Sequence, residues 1–472
     1  MEARYDMLVN GKMMGGSRTV DVVDPATEEV FAVCACASRE EIEDAVTAAA
    51  AAFPAWSATS IDERRAVLIK MAEAIEANIE SIARTLTREQ GKPTADAQGE
   101  VGGAAYFLRY YAGLEIPVEL IEDSETRRIE LHRRPLGVVA AIVPWNFPVL
   151  TAVNKVGAAL ITGNTVVVKP AATTPLATLQ IAALWRDIVP AGTVNIVTDK
   201  NDLGDVLTSH PMVRKVSFTG STSTGMKVMS SGSGTLKRMT LELGGNDSGI
   251  VLDDCDPDTV SQQLFDSAFM NNGQVCIALK RLYVHDSKYD AICAKLAEIA
   301  KAAIVGPGSQ QGTQLGPVQN RVQFDKLKAL IEETRAEGTI IAGGDSPDGQ
   351  GYFINPTIVR DISDNARLVT DEQFGPVLPV MRFSDVDDVV ARANDSSFGL
   401  GNSVWSSDSE KAGAVAARLD SGTVWINKHG DIGPDTPFAG AKMSGVGIEM
   451  GMHGLLEFTQ AKVMNFAKMA NA

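Results

Sequence analysis

The feature that most restricts the fold is the alternation of short apolar segments with helical segments after Gly137. Mostly apolar segments at 138–142, 165–168, 194–197 and 215–218 have the length of strands, and helical segments separate them at 154–160, 176–187 and 203–208. Strands that are apolar along their length are buried on both faces, and helical connections make neighbouring strands parallel. The alternation therefore predicts an α/β fold with a doubly wound parallel sheet.

Other segments extend this prediction in both directions. A second α/β region is expected from about 246 to 434, with strands at 249–252, 281–284, 377–382 and 399–404. At the start, Met7–Val9 is followed by Asn10-Gly11, a typical hairpin turn, and 19–23 alternates as the second strand. Helices are expected at 39–52 and 62–89. Residues 127–134 alternate polar and apolar side chains, so we expect an exposed strand that pairs with an edge of another chain.

The net charge of −16 over 472 residues restricts the partners. Proteins that bind nucleic acids or anionic membranes concentrate Lys and Arg, so we expect neither partner. The uncharged segment 136–153 contains Pro144 and Pro148, which favours a buried strand and a loop over a membrane-spanning helix. Residues 1–6 are too polar and acidic for a targeting peptide, which favours the cytoplasm.

The cysteines and histidines exclude two common kinds of site. The five cysteines are an odd number, thinly spread, which indicates a reducing compartment rather than a disulfide framework. Four of them, Cys34, Cys36, Cys255 and Cys293, are interpreted as small buried side chains. The five histidines are scattered and lack the i, i+4 spacing of helical zinc ligands, so no metal site is expected.

Cys276 is the cysteine with the strongest indication of chemistry. It ends the segment Asn-Asn-Gly-Gln-Val-Cys at 271–276, whose polar residues and glycine offer backbone N–H groups and partial exposure for a thiolate. No histidine is close in sequence to act as a base. Glu242 ends an apolar segment, and carboxylates are rarely buried without a function, so we expect Glu242 to act with Cys276.

Two more polar segments follow predicted strands. The segment 219–225 (Thr-Gly-Ser-Thr-Ser-Thr-Gly) opens a helix, so its backbone N–H groups could contact a phosphate, although a tight turn is an equally good interpretation. It matches neither the Walker A motif nor G-x-G-x-x-G. In 143–148 (Val-Pro-Trp-Asn-Phe-Pro), the Asn146 amide could point into a pocket, or Asn146 could be an ordinary turn residue.

Six motifs together resemble those of the aldehyde dehydrogenase superfamily. They occur in order and at family-like separations, and six in register are far more specific than any one. The motifs are 144–148 (Pro-Trp-Asn-Phe-Pro), 168–170 (Val-Lys-Pro), 218–222 (Phe-Thr-Gly-Ser-Thr), 241–245 (Leu-Glu-Leu-Gly-Gly), 273–276 (Gly-Gln-Val-Cys) and 372–376 (Glu-Gln-Phe-Gly-Pro). The resemblance covers nearly the whole chain and implies NAD(P)-dependent oxidation of an aldehyde to its acid, through a thioester that water hydrolyses.

By position, the resemblance implies catalytic roles. Cys276 would be the nucleophile, and the Asn146 amide with the Cys276 backbone N–H would form the oxyanion hole. Glu242 would activate the hydrolytic water. Glu449 aligns with a glutamate proposed in proton relay, and Lys155 with a common neighbour of the oxyanion site.

The resemblance also implies how NAD or NADP is held. Lys169 and Glu372 would hold the two riboses, Phe374 would pack by the nicotinamide, and the segment from Gly220 to Gly225 would face the pyrophosphate. The whole expected set of cofactor contacts is Val143, Pro144, Trp145, Lys169, Ala171, Ala172, Phe218, Gly220, Ser221, Thr222, Gly225, Leu243, Gly244, Glu372 and Phe374.

The chain departs from the family pattern at two places. Ala172 stands where NAD-preferring members often carry Glu, so we expect use of both NAD and NADP, with NAD slightly favoured. Thr459-Gln460 replaces a frequent Thr-Glu, which puts one family inter-subunit ion pair in doubt.

The resemblance implies three parts and an oligomer. The parts are a Rossmann-like NAD(P)-binding domain (1–115 with 137–245), an α/β catalytic domain (246–437) and a small β oligomerisation element (116–136 with 438–472). A homodimer or homotetramer is expected. Two alternatives remain: a CoA-acylating semialdehyde dehydrogenase, which Glu242 disfavours, and a non-catalytic structural or binding protein, which the intact Cys276, Glu242 and Asn146 disfavour.

The substrate is the least determined property. By analogy, the tunnel is expected near Phe147, Thr151, Asn154, Val275, Ile277 and Ile432. None of these is an arginine, so a substrate carboxylate has no evident partner, and an uncharged aliphatic or aromatic aldehyde is favoured. Lys428, His429 and Asp431 flank the pocket loop and could change this preference.

Overall fold

The computed structural model describes residues 5–468, and helices make up much of this part of the chain. The helices are α1 (Arg39–Ser57), α2 (Ile61–Glu76), α3 (Ile79–Gln90), α4 (Thr94–Ala112), α5 (Pro148–Ile161), α6 (Leu176–Trp185), α7 (Gly204–Ser209), α8 (Thr222–Gly232), α9 (Pro257–Phe269), α10 (Asp286–Ala302), α11 (Arg321–Glu337), α12 (Arg367–Thr370), α13 (Val386–Asn394), α14 (Ser409–Ala416) and α15 (Gly451–Leu456).

The strands alternate with these helices. They are β1 (Met7–Val9), β2 (Lys12–Met14), β3 (Arg18–Asp24), β4 (Glu29–Cys36), β5 (Glu119–Asp123), β6 (Arg127–Pro135), β7 (Val138–Ile142), β8 (Thr165–Lys169), β9 (Val194–Ile196), β10 (Val213–Thr219), β11 (Arg238–Glu242), β12 (Asp247–Val251), β13 (Leu279–His285), β14 (Thr339–Ala342), β15 (Thr357–Arg360), β16 (Val377–Phe383), β17 (Phe398–Gly399), β18 (Gly401–Trp405), β19 (Thr423–Ile426), β20 (Ala441–Lys442), β21 (Gly445–Val446) and β22 (Thr459–Ala467).

The larger sheet is the predicted doubly wound sheet. Its order is β2-β1-β9-β8-β7-β10-β11-β21, and the five central strands β9, β8, β7, β10 and β11 run parallel. Along β7, Val139 and Ala141 pack into one hydrophobic cluster while Val138 and Ala140 pack into another. Both faces are therefore buried, which is why this strand is apolar at every position.

The second sheet has the order β14-β15-β16-β13-β12-β18-β19 and confirms the second α/β region. All neighbours except β14 and β15 are parallel. Ile250 and Val251 of β12 pack into different clusters, so this sheet is also buried on both faces. The α/β fold class predicted from the alternation is confirmed.

The expectation that 127–134 is a free edge strand is wrong. β6 is the middle strand of a three-stranded sheet, paired antiparallel with β5 on one side and with β22 on the other. Its backbone hydrogen bonds are therefore made within the chain. Residues 129–133 are half-buried rather than alternately exposed. The local pattern could not reveal a partner strand more than 300 residues away in sequence.

The N-terminal expectations were partly correct. Asn10 and Gly11 form the turn, both with positive φ (51° and 72°), but the second strand is β2 rather than 19–23, which belongs to the separate pair β3 and β4. The predicted helix 62–89 is two helices, because Asn78 leaves helical geometry (φ −126°, ψ 14°). Capping boxes at Ser38 and Ser60 begin α1 and α2.

Within residues 5–468, none of the helices is both long and apolar enough to cross a bilayer. The segment 136–153 is instead the strand β7, a loop and the first turns of α5, as its two prolines indicated.

Asn164 connects the larger sheet to the three-stranded sheet. Its Oδ1 accepts hydrogen bonds from the backbone N–H groups of Leu136 (2.7 Å) and Gly137 (2.9 Å). Its Nδ2 donates to the carbonyl oxygen of Phe458 (2.9 Å), just before β22. The side chain is fully buried, so it supplies these backbone groups with the hydrogen bonds that water would otherwise make.

We predict that Asn164→Ala destabilises the protein by about 2–3 kcal/mol, because buried N–H groups lose their acceptor. The measurement is the urea midpoint of unfolding. Asn365→Ala, at an exposed asparagine, is the control and should change stability by less than about 0.5 kcal/mol. Equal effects of the two substitutions would show that Asn164 does not connect the sheets.

Candidate active site

A cavity of about 690 Å³ lies at the carboxyl ends of the central strands of the larger sheet. The ends of β7, β8 and β10 contribute Ile142, Lys169 and Thr219 to its wall, and Leu243 follows β11. Cys276, Glu372 and Phe374 come from the second α/β region. Ligands of open α/β sheets bind at this edge, and the volume is in the usual range for ligand sites.

Most of the residues expected to hold the cofactor line this cavity. They are Val143, Pro144, Trp145, Lys169, Ala171, Phe218, Gly220, Ser221, Leu243, Gly244, Glu372 and Phe374. Asn146 and Cys276 line the same cavity. Ala172, Thr222 and Gly225 are neighbours in sequence of lining residues but do not line it themselves, and neither do Glu242, Glu449 and Lys155, which are buried.

The loop before Cys276 has an unusual backbone conformation. Asn271, Asn272 and Gly273 all have positive φ (49°, 57° and 71°), a run that Asn and Gly tolerate best. A Cβ on Gly273 would lie 2.3 Å from the carbonyl oxygen of Gly375, so only glycine fits there. The sequence Asn-Asn-Gly is therefore needed to bring the half-buried Cys276 to the cavity wall.

The environment of the Cys276 thiol is mixed. Burial raises the pKa of the thiol to about 12. Among the charged groups, the ammonium of Lys280 has the largest effect on this pKa and lowers it. The carboxyl groups of Glu372, Asp247 and Glu242 raise the pKa. A thiolate at this position therefore depends on nearby positive charge.

Asn146 lies against the Cys276 loop. Its Nδ2 donates a hydrogen bond to the carbonyl oxygen of Gln274 (3.0 Å). The backbone carbonyl oxygen of Asn146 accepts hydrogen bonds from Lys92 Nζ (2.9 Å) and Asn271 Nδ2 (3.2 Å). Lys92 also forms a buried ion pair with Glu100 (2.5 Å), so a charged network holds the Asn146 backbone.

Glu242 ends β11 and is buried, and neither of its carboxyl oxygens has a hydrogen-bond partner among residues 5–468. Burial holds the pKa of this carboxyl well above its usual range, the charge of Glu449 raises it further, and Lys155 opposes both. Glu449 itself is fully partnered, since it pairs with Lys155 and accepts from Ser217 Oγ (2.9 Å) and Asn154 Nδ2 (3.1 Å).

The two glycines after Leu243 permit close contacts. A Cβ on Gly244 would lie 2.5 Å from Glu372 Oε2, and a Cβ on Gly245 would lie 2.5 Å from the carbonyl oxygen of Cys276. The N–H of Gly245 donates to Glu372 Oε1 (3.0 Å). Beyond Glu372, the Phe374 ring packs edge-on against Trp145 at 5.3 Å between centroids.

At the other end of the cavity, Lys169 is already partnered. Its Nζ forms an ion pair with the buried Asp199 (2.7 Å) and contacts Asn201 Oδ1 (3.3 Å). The N-terminus of α8 faces the same end, where Ser221 caps the helix by accepting from the N–H of Thr224 (3.3 Å). Gly225 packs against Leu243, where a Cβ would lie 2.4 Å from Leu243 Cδ2.

The sequence interpretation missed several buried charged residues around this site. Lys92, Glu100, Asp199, Asp247 and Lys280 are all buried, and none was singled out. For Lys280 and Asp247 a signal was present, because each is a charged residue within or beside an apolar strand segment. In the part of the chain from 5 to 468, no cluster of His, Cys, Asp and Glu has the arrangement of a metal site.

Comparison with known proteins identifies the class of protein. Residues 13–464 match the Aldehyde dehydrogenase family. Phenylacetaldehyde dehydrogenase from Pseudomonas fluorescens is 39% identical over 483 residues, covering 98% of this chain and 96% of that protein. The chain therefore belongs to the aldehyde dehydrogenase family and is an enzyme that oxidises aldehydes to acids.

Solved structures agree with this assignment. The NAD+ complex of an aldehyde dehydrogenase from Bacillus cereus has a TM-score of 0.96 and 35% identity, covering 98% of this chain and 97% of that one. An NADP dependent enzyme from E. coli has a TM-score of 0.96 and 36% identity, covering 98% of both chains. The relatives thus include proteins described with either dinucleotide.

We predict that Gly245→Ala lowers kcat/KM on the order of 100-fold, because its Cβ would displace the Cys276 carbonyl and with it the thiol. Gly99→Ala is the matched control, since a Cβ on this exposed helical glycine meets nothing within 4 Å. That control should retain full activity. Retained activity in Gly245→Ala would mean that the close approach has no bearing on catalysis.

Proposed function

We propose that this enzyme oxidises aldehydes through a covalent intermediate on Cys276. The observation that carries the proposal is the position of the thiol. It lines the same cavity as Asn146 and as most of the residues expected to hold the cofactor. In an NAD(P)-dependent oxidation, the thiol and the nicotinamide must both reach the same substrate carbon, and a shared cavity allows this.

The first step is attack of the Cys276 thiolate on the aldehyde carbon, which leaves a negative charge on the aldehyde oxygen. The Asn146 amide has two N–H donors, and Gln274 occupies one of them. The second, held in orientation by the first, would donate to this oxygen together with the Cys276 backbone N–H. When bound, a nicotinamide dinucleotide would accept the hydride from this carbon, which would leave the acyl group on Cys276 as a thioester.

The second step is hydrolysis of the thioester. Glu242 takes a proton from water, the resulting hydroxide attacks the thioester carbon, and the acid leaves as Cys276 is regenerated. The raised pKa of Glu242 makes its carboxylate a stronger base than an exposed one, which favours removal of the proton from water. Glu449 and Lys155 would pass this proton onward. With Glu242 present, water rather than CoA is the acceptor of the acyl group.

The cofactor is NAD or NADP, with NAD favoured. Lys169 would hold one ribose and Glu372 the other, with Phe374 beside the nicotinamide and the segment from Gly220 to Gly225 at the pyrophosphate. Asp199 already neutralises Lys169, which reduces the attraction of a 2′-phosphate at that end. Asp202 and Asp205 also line the cavity and would repel such a phosphate. NADP stays in the proposal because the relatives include an NADP dependent enzyme as well as an NAD+ complex.

The substrate is an uncharged, apolar aldehyde. Around Cys276 lies an apolar cluster that consists of Val275, Ile277, Ala278, Leu400, Trp425 and Phe438, with Phe147 and Met450 packed against it. Of the flanking charged residues, Lys428 pairs with Asp431 at 2.5 Å, and burial lowers the pKa of His429 to about 3, so His429 is neutral. A phenylacetaldehyde dehydrogenase among the relatives supports an aromatic aldehyde.

The domain division and assembly follow the same proposal. A cofactor domain (1–115 with 137–245), a catalytic domain (246–437) and an oligomerisation element (116–136 with 438–472) form a homodimer or homotetramer in the cytoplasm. The three-stranded sheet exposes apolar side chains, among them Leu120, Ile121, Val463 and Phe466, which a second subunit would cover. A catalytic thiol needs a reducing compartment, and all five cysteines are free.

We predict different failures for two variants. Cys276→Ala abolishes turnover, whereas Cys293→Ala, at a buried cysteine outside the cavity, retains it. Glu242→Gln still transfers hydride, so stopped-flow absorbance should show a burst of about one NAD(P)H per active site followed by a slow steady rate. Turnover in Cys276→Ala would exclude the thioester, and an unchanged steady rate in Glu242→Gln would make Glu242 structural.

For cofactor choice we predict that Ala172→Glu lowers kcat/KM for NADP roughly tenfold more than for NAD, through repulsion of about 1–2 kcal/mol. Ala336→Glu, at an exposed alanine near the end of α11, controls for added charge and should affect neither. Steady-state kinetics with both dinucleotides make the comparison. An equal loss with both would show that residue 172 does not face the 2′ position.

A further inference from the structure

Lys280 is a buried lysine directly behind the Cys276 loop. It is the second residue of β13, and only 1% of its surface is exposed. Its Nζ donates to the carbonyl oxygens of Val275 (2.7 Å) and Cys276 (2.6 Å), with a longer contact to Ala278 (3.4 Å). An ammonium group has three N–H donors, and here all three point at the backbone of one turn.

The ammonium charge is not neutralised by an ion pair. Its hydrogen-bond partners are carbonyl oxygens, and no carboxylate in residues 5–468 lies within ion-pair distance of Nζ. A buried charge without a direct ion-pair partner is costly. The carboxyl groups of Asp247 and Glu372 interact with Lys280 only at longer range, where its charge lowers the pKa of each. Hydrogen bonding to the turn therefore does not by itself explain why a charged lysine lies behind the Cys276 loop.

Electrostatics around the thiol supply that reason. Four charged groups act on Cys276 from different elements: Lys280 from β13, Asp247 from β12, Glu242 from β11 and Glu372 from the loop before β16. The three carboxyl groups oppose a thiolate, and the ammonium of Lys280 favours it. At low effective dielectric such effects are strong over several ångströms.

We propose that Lys280 is a positioning residue for Cys276, holding the turn 275–278 through three carbonyl oxygens while its ammonium charge favours the thiolate. This inference rests on the proposed role of Cys276 as nucleophile. The carbonyl oxygens that bind Lys280 Nζ belong to the same turn as the Cys276 side chain. These contacts therefore keep the ammonium charge at a constant position relative to the thiol. Lys280 therefore couples the geometry of the nucleophile to its ionisation.

The test is the pH dependence of Cys276 alkylation by iodoacetamide, followed by mass spectrometry of the Cys276 peptide. Only the thiolate reacts, so the midpoint of the rate profile reports its ionisation without any turnover. Lys280→Met removes the charge, and Lys280→Arg retains it. Lys215→Met is the matched control, since Lys215 is an equally buried lysine whose Nζ binds Thr240 Oγ1 (2.6 Å) in the other sheet.

We expect Lys280→Met to raise the midpoint by about one pH unit, a tenfold loss of thiolate at a given pH below it. Lys280→Arg should retain most of the wild-type profile, and Lys215→Met all of it. An unchanged midpoint in folded Lys280→Met, or an equal shift in Lys215→Met, would overturn the proposal. A merely structural role would lower Tm in Lys280→Met without moving the midpoint.

Lys280→Gln decides the question if Lys280→Met does not fold, because the amide retains two N–H donors for the turn but carries no charge. The alkylation midpoint should rise as in Lys280→Met, and an unchanged midpoint would overturn the proposal. Turnover in Cys276→Ala would instead overturn the proposed function, whatever the alkylation profiles show.

Discussion

The hydrogen bond from Asn146 Nδ2 to the carbonyl oxygen of Gln274 joins the two α/β units where the cavity lies. Asn146 follows a strand of the larger sheet, and Gln274 precedes Cys276 in the second unit. The Asn146 carbonyl is held in turn by Lys92 and Asn271. A site formed between two separate sheets keeps a constant geometry only when such contacts cross the boundary, so the rest of the site depends on this connection.

Buried ionisable groups make the fold and the chemistry inseparable. Lys92 with Glu100, and Lys155 with Glu449, are ion pairs inside the protein. Loss of one partner in a buried pair costs about 3–5 kcal/mol, because the other charge is left without compensation. The same dry surroundings raise the pKa of Cys276 and of Glu242. The proposed nucleophile and base thus lie among charges on which the core also depends.

Local patterns predicted single elements well and their partners poorly. The strand at 138–142 and both α/β regions were predicted from apolar periodicity, because burial on both faces leaves that pattern in each strand. The interpretation of 127–134 as a free edge was wrong, since β22 covers it from the far end of the chain. The helix break at Asn78 was missed because neither Gly nor Pro marks it.

The sequence by itself determined the fold class and the motifs that point to the family, since periodicity and short motifs are local properties. It also pointed to Cys276, Glu242 and Asn146. Only the tertiary structure decided that Lys169 is neutralised by Asp199, and that Lys280 binds the Cys276 turn. Those contacts depend on how strands and loops lie against one another in space, and no periodicity in the chain encodes the direction of a buried charged side chain.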